Sequence, residues 1–107
     1  MKELLYEMNL AMTNEKERAN KKFPPFVSSH HAYGVIKEEH EEAESDFTSI
    51  KNQFDDYWIA VKQNDYVTQK QCLECMRDVA LHCAAETIQF SAMAQKALDS
   101  MENYRKD

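Results

Sequence analysis

The sequence predicts an all-α protein, folded as an antiparallel bundle of three to five helices. One glycine and two prolines among 107 residues leave few places for the chain to turn, which favours long helices over strands and hairpins. Apolar side chains recur at alternating spacings of three and four residues over long segments, which is typical of helices buried along one face. At this length we expect one domain, residues 1–107, with a core of its own.

The first helix is predicted over about residues 2–21. Leu5, Met8 and Met12 recur at three and four spacing, and the two prolines of the FPPFV segment separate this helix from the rest of the chain. Its polar end, TNEKERANKK, is expected to be a solvated face.

The remaining core is predicted over about residues 28–104, beginning with a second long helix. Ser28 or Ser29 can cap this helix by accepting a backbone N–H, while Asn64 and Asp65 supply the next stop and cap. A kink at the FTSI segment is left open. One apolar stripe extends over about seven turns and is expected to be buried; it comprises Ile36, His40, Ala43, Phe47, Ile50, Phe54, Trp58 (or Tyr57) and Val61.

A third helical pattern extends from about Tyr66 to Tyr104. This is long for a globular helix, so a break near His82 to Ala84 is left open. The predicted inner face comprises Leu73, Met76, Ala80, Cys83, Thr87, Phe90, Ala94, Ala97 and Met101. Together the helices carry more apolar stripe than one small bundle can cover, so we expect the bundle to be completed by dimerisation.

Charge and composition exclude several classes of partner. The formal net charge of −6 disfavours nucleic acid and anionic membrane surfaces. No apolar run approaches the roughly 20 residues that span a bilayer, and the N-terminal MKELLYEMNL does not resemble a signal peptide. We therefore expect a cytoplasmic protein.

The three cysteines are expected to be reduced, since their number is odd and no secretion signal precedes them. Cys72, Cys75, His82 and Cys83 have the chemistry of zinc ligands. On a continuous helix, however, Cys75 and His82 lie about 10 Å apart along the axis, too far to bind one ion. The cysteines are therefore interpreted as small core residues, and only a helix break would favour zinc.

The segment HAYGVIKEEHEEAESDF carries six acidic residues: Glu38, Glu39, Glu41, Glu42, Glu44 and Asp46. Like charges this dense destabilise a helix, so the arrangement suggests a function. Glu39 and Glu42 lie one turn apart at the edge of the apolar stripe, where they can share a hard cation such as Mg²⁺. An acidic run is also typical of a solvated face, and that alternative stays open.

Glu86 is the one side chain certain to be ionised within the apolar segment VALHCAAETIQFSAMAQ. An ionised carboxylate facing a core needs a partner, because unpaired burial is costly. We expect Glu39, Glu42 and Glu86 to meet around one or two divalent cations. The alternatives are that Glu86 is half exposed, or that it pairs with a basic side chain: Lys37, Arg77 or His82.

HAYGVIKEEHEEAESDF and the later AAETIQFSAMAQKAL resemble the all-α nucleoside triphosphate pyrophosphohydrolases of the MazG-like superfamily, particularly its short phage and bacterial members. The resemblance covers roughly residues 23–99. The superfamily motif is EExxE on one helix and ExxD on a later one, and its carboxylates bind Mg²⁺. Glu38, Glu39 and Glu42 match the first motif, and Glu86 begins the second. Gln89 stands at the position of the motif aspartate, and the interval between the motifs is long for the superfamily.

The resemblance implies hydrolysis of a nucleoside triphosphate to the monophosphate and pyrophosphate. The expected partners are this substrate and further copies of the chain, in a homodimer or homotetramer. The resemblance assigns Mg²⁺, with Mn²⁺ as the alternative ion, to Glu39, Glu42, Glu86 and Gln89. It makes Glu38 the candidate base, and the substrate-binding candidates are Lys37, His30, Tyr33 and Lys22. Because Gln89 cannot add charge, a catalytically silent helical binding or regulatory protein is the second hypothesis. A third, an acidic coiled-coil adaptor, predicts no metal binding.

Overall fold

The computed structural model describes residues 1–105, which form three long helices and no strand. They are α1 (Lys2–Lys22), α2 (Ser29–Lys62) and α3 (Tyr66–Tyr104). The all-α prediction is confirmed, with three helices. Both long helices are continuous, so α2 has no break at FTSI and α3 has none near His82.

Local capping sets the starts of the two long helices. The hydroxyl of Ser28 accepts the backbone N–H of His31 (3.0 Å), which caps α2. The carboxylate of Asp65 accepts the backbone N–H of Thr68 (3.1 Å) and its hydroxyl (2.6 Å), which caps α3. Asn64 between the helices has a φ of 54°, a left-handed conformation that asparagine tolerates better than most residues. The predicted stop at residues 64 and 65 is therefore confirmed.

Helices α2 and α3 pack antiparallel along a seam with a seven-residue repeat, like a short coiled coil. Three contacts fix the direction: Gln69 Nε2 donates to the Ala60 carbonyl, Cys83 Sγ to the Ala43 carbonyl, and the Phe26 N–H to Ser100 Oγ. On α2 the seam consists of Ala32, Ile36, Glu39, Ala43, Asp46, Ile50, Gln53, Tyr57 and Ala60, all buried or half-buried. On α3 it consists of Cys72, Met76, Val79, Cys83, Glu86, Phe90, Met93, Ala97 and Ser100, also buried or half-buried.

The apolar stripe predicted to be buried on α2 coincides with this seam at Ile36, Ala43, Ile50 and Tyr57 and departs from it at the other aromatic positions. Phe47, Phe54 and Trp58 are 66%, 61% and 57% exposed. The seam instead follows alanines, which let two helix backbones approach closely, and it carries polar residues at three positions that an apolar pattern cannot identify. Within the single chain, the expectation that the stripe is buried therefore fails for these three side chains, and the expectation that a second copy covers the excess apolar surface stays a prediction.

Helix α1 packs on α3 through its C-terminal half. Lys16 forms an ion pair with Asp99 (3.1 Å), and the linker after α1 is held by buried Phe26, whose backbone N–H donates to Ser100 Oγ (3.1 Å). The prediction that the polar end of α1 is a solvated face was therefore wrong in part, because its side chains also contact α3.

The single chain buries little. Among residues 1–105 the buried apolar side chains are Phe26, Ala32, Ala60, Cys72 and Ala92. The molecule measures 61 × 29 × 22 Å, and its radius of gyration is 18.2 Å, against about 13 Å for a compact chain of about 100 residues. None of the three helices has a stretch long and apolar enough to cross a membrane.

The close packing of α2 on α3 can be tested by substitution at Ala60. This residue is 2% exposed, and its carbonyl accepts hydrogen bonds from Asp65 and Gln69. We expect Ala60→Leu to lower the free energy of unfolding by about 1–3 kcal/mol, because the added carbons have no space at the seam. Exposed Ala84→Leu is the matched control and should change it by less than about 0.5 kcal/mol. Equal effects in urea denaturation would contradict this packing.

Candidate metal centre

Three carboxylates from two helices converge at the middle of the seam. Glu39 and Glu86 occupy seam positions on α2 and α3, and Glu42 lies one turn after Glu39 at the seam's edge. One oxygen from each of the three lies within 4.8 Å of the others. The antiparallel packing thus brings together the three residues that the sequence nominated as ligands. Such a group can bind a hard divalent cation.

These carboxylates lack internal compensation. Oε2 of Glu39 and Oε2 of Glu86 are both buried and have no hydrogen-bond partner within residues 1–105. Burial, followed by the charges of Glu42 and Glu38, raises the pKa of Glu39. A hydrogen bond shared with Glu42, followed by burial and the Glu42 charge, raises the pKa of Glu86. A cation or protons would relieve the repulsion, and the two unpartnered oxygens are free to accept either.

His82 lies on the other flank of Glu86. Its Nδ1–H donates to Oδ2 of Asp46 (2.6 Å), and its Nε2 lies 3.8 Å from Oε1 of Glu86. The hydrogen bond and charge of Asp46 raise the pKa of His82. Asp46, His82 and Glu86 form a second group whose ligand atoms lie within 4.8 Å of one another. His82 is thus the basic neighbour of Glu86, although both also lie beside further carboxylates.

The other two proposed partners of Glu86 are engaged elsewhere. Lys37 lies 3.9 Å from Glu41, and Arg77 lies 2.9 Å from Asp78. Neither basic side chain neutralises the carboxylates at the seam.

A cavity of about 570 Å³ adjoins this centre, between the end of α1, the linker, the first turns of α2 and the second half of α3. Glu38, Glu39 and Gln89 line it, and α3 adds Met93 and Lys96 one and two turns further along. The remaining lining residues are Glu15, Arg18, Ala19, Lys22, Phe23, Pro24, Phe26, His31, Val35 and Ala92. The cavity therefore has carboxylates on one side and cationic groups on another.

The predicted site residues divide into two sets. Glu38, Gln89 and Lys22 line the cavity together with Glu39. Lys37, His30 and Tyr33 do not line it, and Tyr33 is 67% exposed. His31 lines the cavity in place of His30, and its ring packs against Phe26 at a centroid distance of 5.0 Å.

Sequence reasoning missed Arg18, Lys96 and Asp46. Arg18 belongs to the polar end interpreted as solvated, and Lys96 marks the end of the apolar segment that contains Glu86. Asp46 had a usable signal, since it lies seven residues after Glu39 and therefore on the same face of α2.

The cysteines form no metal site within residues 1–105. All three are free thiols; Cys72 is buried, and Cys83 Sγ lies 3.7 Å from the Ala43 carbonyl that it contacts across the seam. No group of metal-ligating atoms in this part of the chain includes a cysteine. Their positions agree with the interpretation as small packing residues.

No family model matches the chain, and no curated protein or solved structure matches it either. Membership of the superfamily is therefore a proposal that rests on the motifs and on the convergence of their carboxylates.

The repulsion at the centre gives a prediction for the protein in a chelating buffer. We expect Glu86→Gln to raise the melting temperature at neutral pH, because an amide removes a buried charge that Glu42 repels. The folded-state pKa of Glu86 is raised above its ordinary value of 4.5, so the wild type gains stability as pH falls through the folded pKa towards 4.5. The advantage of the variant should shrink over that interval.

Glu44→Gln is the control for this comparison, since it removes the same charge from an exposed position of the acidic run. Differential scanning calorimetry between neutral pH and about pH 4.5 makes the measurement. A lower melting temperature for Glu86→Gln than for the wild type would show that Glu86 is satisfied without a cation.

Proposed function

We propose that this protein is an Mg²⁺-dependent nucleoside triphosphate pyrophosphohydrolase of the MazG-like type, which forms the monophosphate and pyrophosphate. The observation that carries the proposal is the convergence of Glu39, Glu42 and Glu86 from two helices, with two buried oxygens that have no partner among the described residues. A half-buried carboxylate group with two buried, unpartnered oxygens, of which Glu39 lines the cavity, is costly for a purely structural protein and suits cation binding.

The donor set fits Mg²⁺, which prefers carboxylate oxygens and keeps part of its water shell, and Mn²⁺ accepts the same ligands. Glu39, Glu42 and Glu86 would hold the ion. Gln89 lines the adjoining cavity, where its amide oxygen can add a neutral ligand. The ion would supply positive charge that offsets the carboxylates and polarises phosphoryl oxygens.

The chain's own residues supply the remaining functions. Glu38 lies on the cavity wall and can accept a proton from an attacking water. Lys22 and Arg18 also line the cavity and can bind phosphate oxygens. Acidic net charge does not prevent nucleotide binding here, since these basic groups and a bound cation change the local sign.

The second candidate is a helical binding or regulatory protein that keeps the fold without turnover. Gln89 favours it, because a neutral amide replaces the carboxylate that the second motif carries in the superfamily. The two candidates share the fold and differ in metal binding and catalysis.

We also propose that the protein is a homodimer of two α2–α3 hairpins. Phe47, Phe54 and Trp58 line one flank of α2 at helical spacing and are more than half exposed. Among the described residues no large side chain is fully buried, so one chain has little core to stabilise three long helices. A second copy would cover this flank and complete a four-helix arrangement.

The enzyme proposal is tested by pyrophosphate release from a panel of ribo- and deoxyribonucleoside triphosphates with Mg²⁺ or Mn²⁺. We expect turnover by the wild type and a loss of roughly a hundredfold or more in Glu86→Ala, because one ligand of the ion is removed. Glu44→Ala, exposed in the same acidic run, should retain activity. Calorimetric titration of both variants with Mg²⁺ gives the binding arm of the test.

Gln89→Asp separates the two candidates. If the wild type binds Mg²⁺ without turnover and the aspartate confers turnover, the protein is a silent relative of the enzymes. If the wild type binds neither Mg²⁺ nor Mn²⁺, the enzyme proposal fails and the helical binding or regulatory protein remains.

The dimer is tested by sedimentation equilibrium. We expect Phe54→Glu to weaken self-association by roughly ten- to hundredfold, since burial of one phenylalanine is worth about 1.5–3 kcal/mol. Asn52→Glu is the control, because it places the same charge on an exposed position of α2 about 160° around the helix from Phe54. A monomeric wild type at all accessible concentrations, or equal effects of the two variants, would contradict the proposed interface.

A further inference from the structure

Lys96 is a buried cation without a counterion among the described residues. The residue is 3% exposed and lines the cavity, and none of the ion pairs among residues 1–105 includes its Nζ. The ammonium lies 4.9 Å from the ring centroid of Phe26 and 5.9 Å from that of Phe23. Burial lowers the pKa of Lys96. Two aromatic rings offset only part of the cost of removing an ammonium from water, so the site favours an anion that residues 1–105 do not provide.

The acidic residues near this end of the cavity are already occupied. Asp99 pairs with Lys16 (3.1 Å) and accepts a hydrogen bond from Gln95 (2.9 Å). Glu15 on the cavity wall pairs with Arg18 (2.7 Å). The packing of α1 on α3 thus pairs Asp99 with Lys16, Glu15 pairs with Arg18, and neither carboxylate pairs with Lys96.

Negatively and positively charged side chains on the cavity wall lie at different positions along the axis of α3. Glu39 and Gln89 lie on its wall beside the carboxylate centre, and Lys96 lies seven residues beyond Gln89, about 10 Å further along the helix axis. Lys22 faces the same cavity from the end of α1. An extended polyanion fits this gradient, with the phosphates that carry a divalent cation at the carboxylates and the far phosphate at the lysine.

We propose that Lys96 binds the terminal phosphate of a nucleoside triphosphate and thereby selects triphosphates over di- and monophosphates. The proposal rests on the proposed function in placing the reacting phosphates beside Glu39 and Glu86. An ammonium offers three N–H donors, and its attraction to phosphate is strong where water is excluded. Much of the cost of desolvating Lys96 is met on folding, so less of it remains when the phosphate binds. A nucleoside monophosphate held at the carboxylates has no phosphate in position to reach Lys96.

A purely structural role for Lys96 predicts a different response to substitution. If its contacts with Phe23 and Phe26 held the linker in place, Lys96→Met would lower the melting temperature. If Lys96 is kept for an anion, methionine of similar length removes an uncompensated buried charge and leaves the melting temperature unchanged or higher.

The experiment uses the full chain with Lys96→Met, Lys96→Arg and Lys51→Met, the last an exposed lysine of α2 that serves as control. Inorganic tripolyphosphate with Mg²⁺ is the calorimetric probe, alongside melting temperatures without ligand and KM and kcat for nucleoside tri- and diphosphates. We expect Lys96→Met to bind tripolyphosphate roughly ten- to hundredfold more weakly, the loss of one charge-assisted hydrogen bond, with KM for triphosphates raised in the same ratio. Lys96→Arg should retain part of the affinity, and Lys51→Met should retain all of it.

Three results would overturn the proposal: no binding of tripolyphosphate by the wild type, equal binding by wild type and Lys96→Met, or a lower melting temperature of Lys96→Met that Lys96→Arg restores. The experiment also distinguishes failure of the anion site from failure of the enzyme proposal. Tripolyphosphate binding through Lys96 without pyrophosphate release supports the anion site and counts against the enzyme. Pyrophosphate release with an unchanged KM in Lys96→Met supports the enzyme and counts against the anion site.

Discussion

The antiparallel seam between α2 and α3 is the constraint on which the remaining structure depends. A seven-residue repeat keeps the same faces of two long helices in contact, so each seam residue of α2 lies opposite a defined position on α3. Glu39 and Glu86 occupy such inner positions at one level, and Asp46 lies one repeat from Glu39. The seam therefore buries carboxylates where a coiled coil usually has apolar residues. The negative charges of these glutamates repel one another across the seam, and bound protons or a cation would reduce that repulsion.

The parts of the fold that could be predicted are those with local causes. Ser28 and Asp65 cap helices through side chains that contact residues three positions away, so their signals lie within a few letters of sequence. The rotation of α2 could not be predicted in this way. Phe47 and Phe54 form as good an apolar stripe as the alanines of the seam, and the choice between them depends on which surface α3 covers and which remains exposed.

The same distinction explains which parts of the site were predictable. Glu39, Glu42 and Glu86 follow from helical spacing and antiparallel packing, both readable from sequence. The cavity depends on a contact between residues 74 positions apart, the hydrogen bond from the Phe26 N–H to Ser100 Oγ. That contact returns the linker to α3 and places the end of α1 beside the carboxylates. No periodicity within a single helix contains this information.

Each end of the cavity has a charged group that lacks an oppositely charged partner among the described residues, a carboxylate at one end and an ammonium at the other. Within residues 1–105, Glu39 and Glu86 carry buried oxygens without donors, and Lys96, which is 3% exposed, forms no ion pair with a carboxylate. These groups could have compensated one another, since a buried ion pair satisfies both charges, yet α3 separates Glu86 and Lys96 by almost three turns. A chain under selection for stability alone would pair or replace such groups. The separation of Glu39 and Lys96 along one cavity is what an extended ligand needs if it brings a cation to the carboxylates and an anion to the lysine.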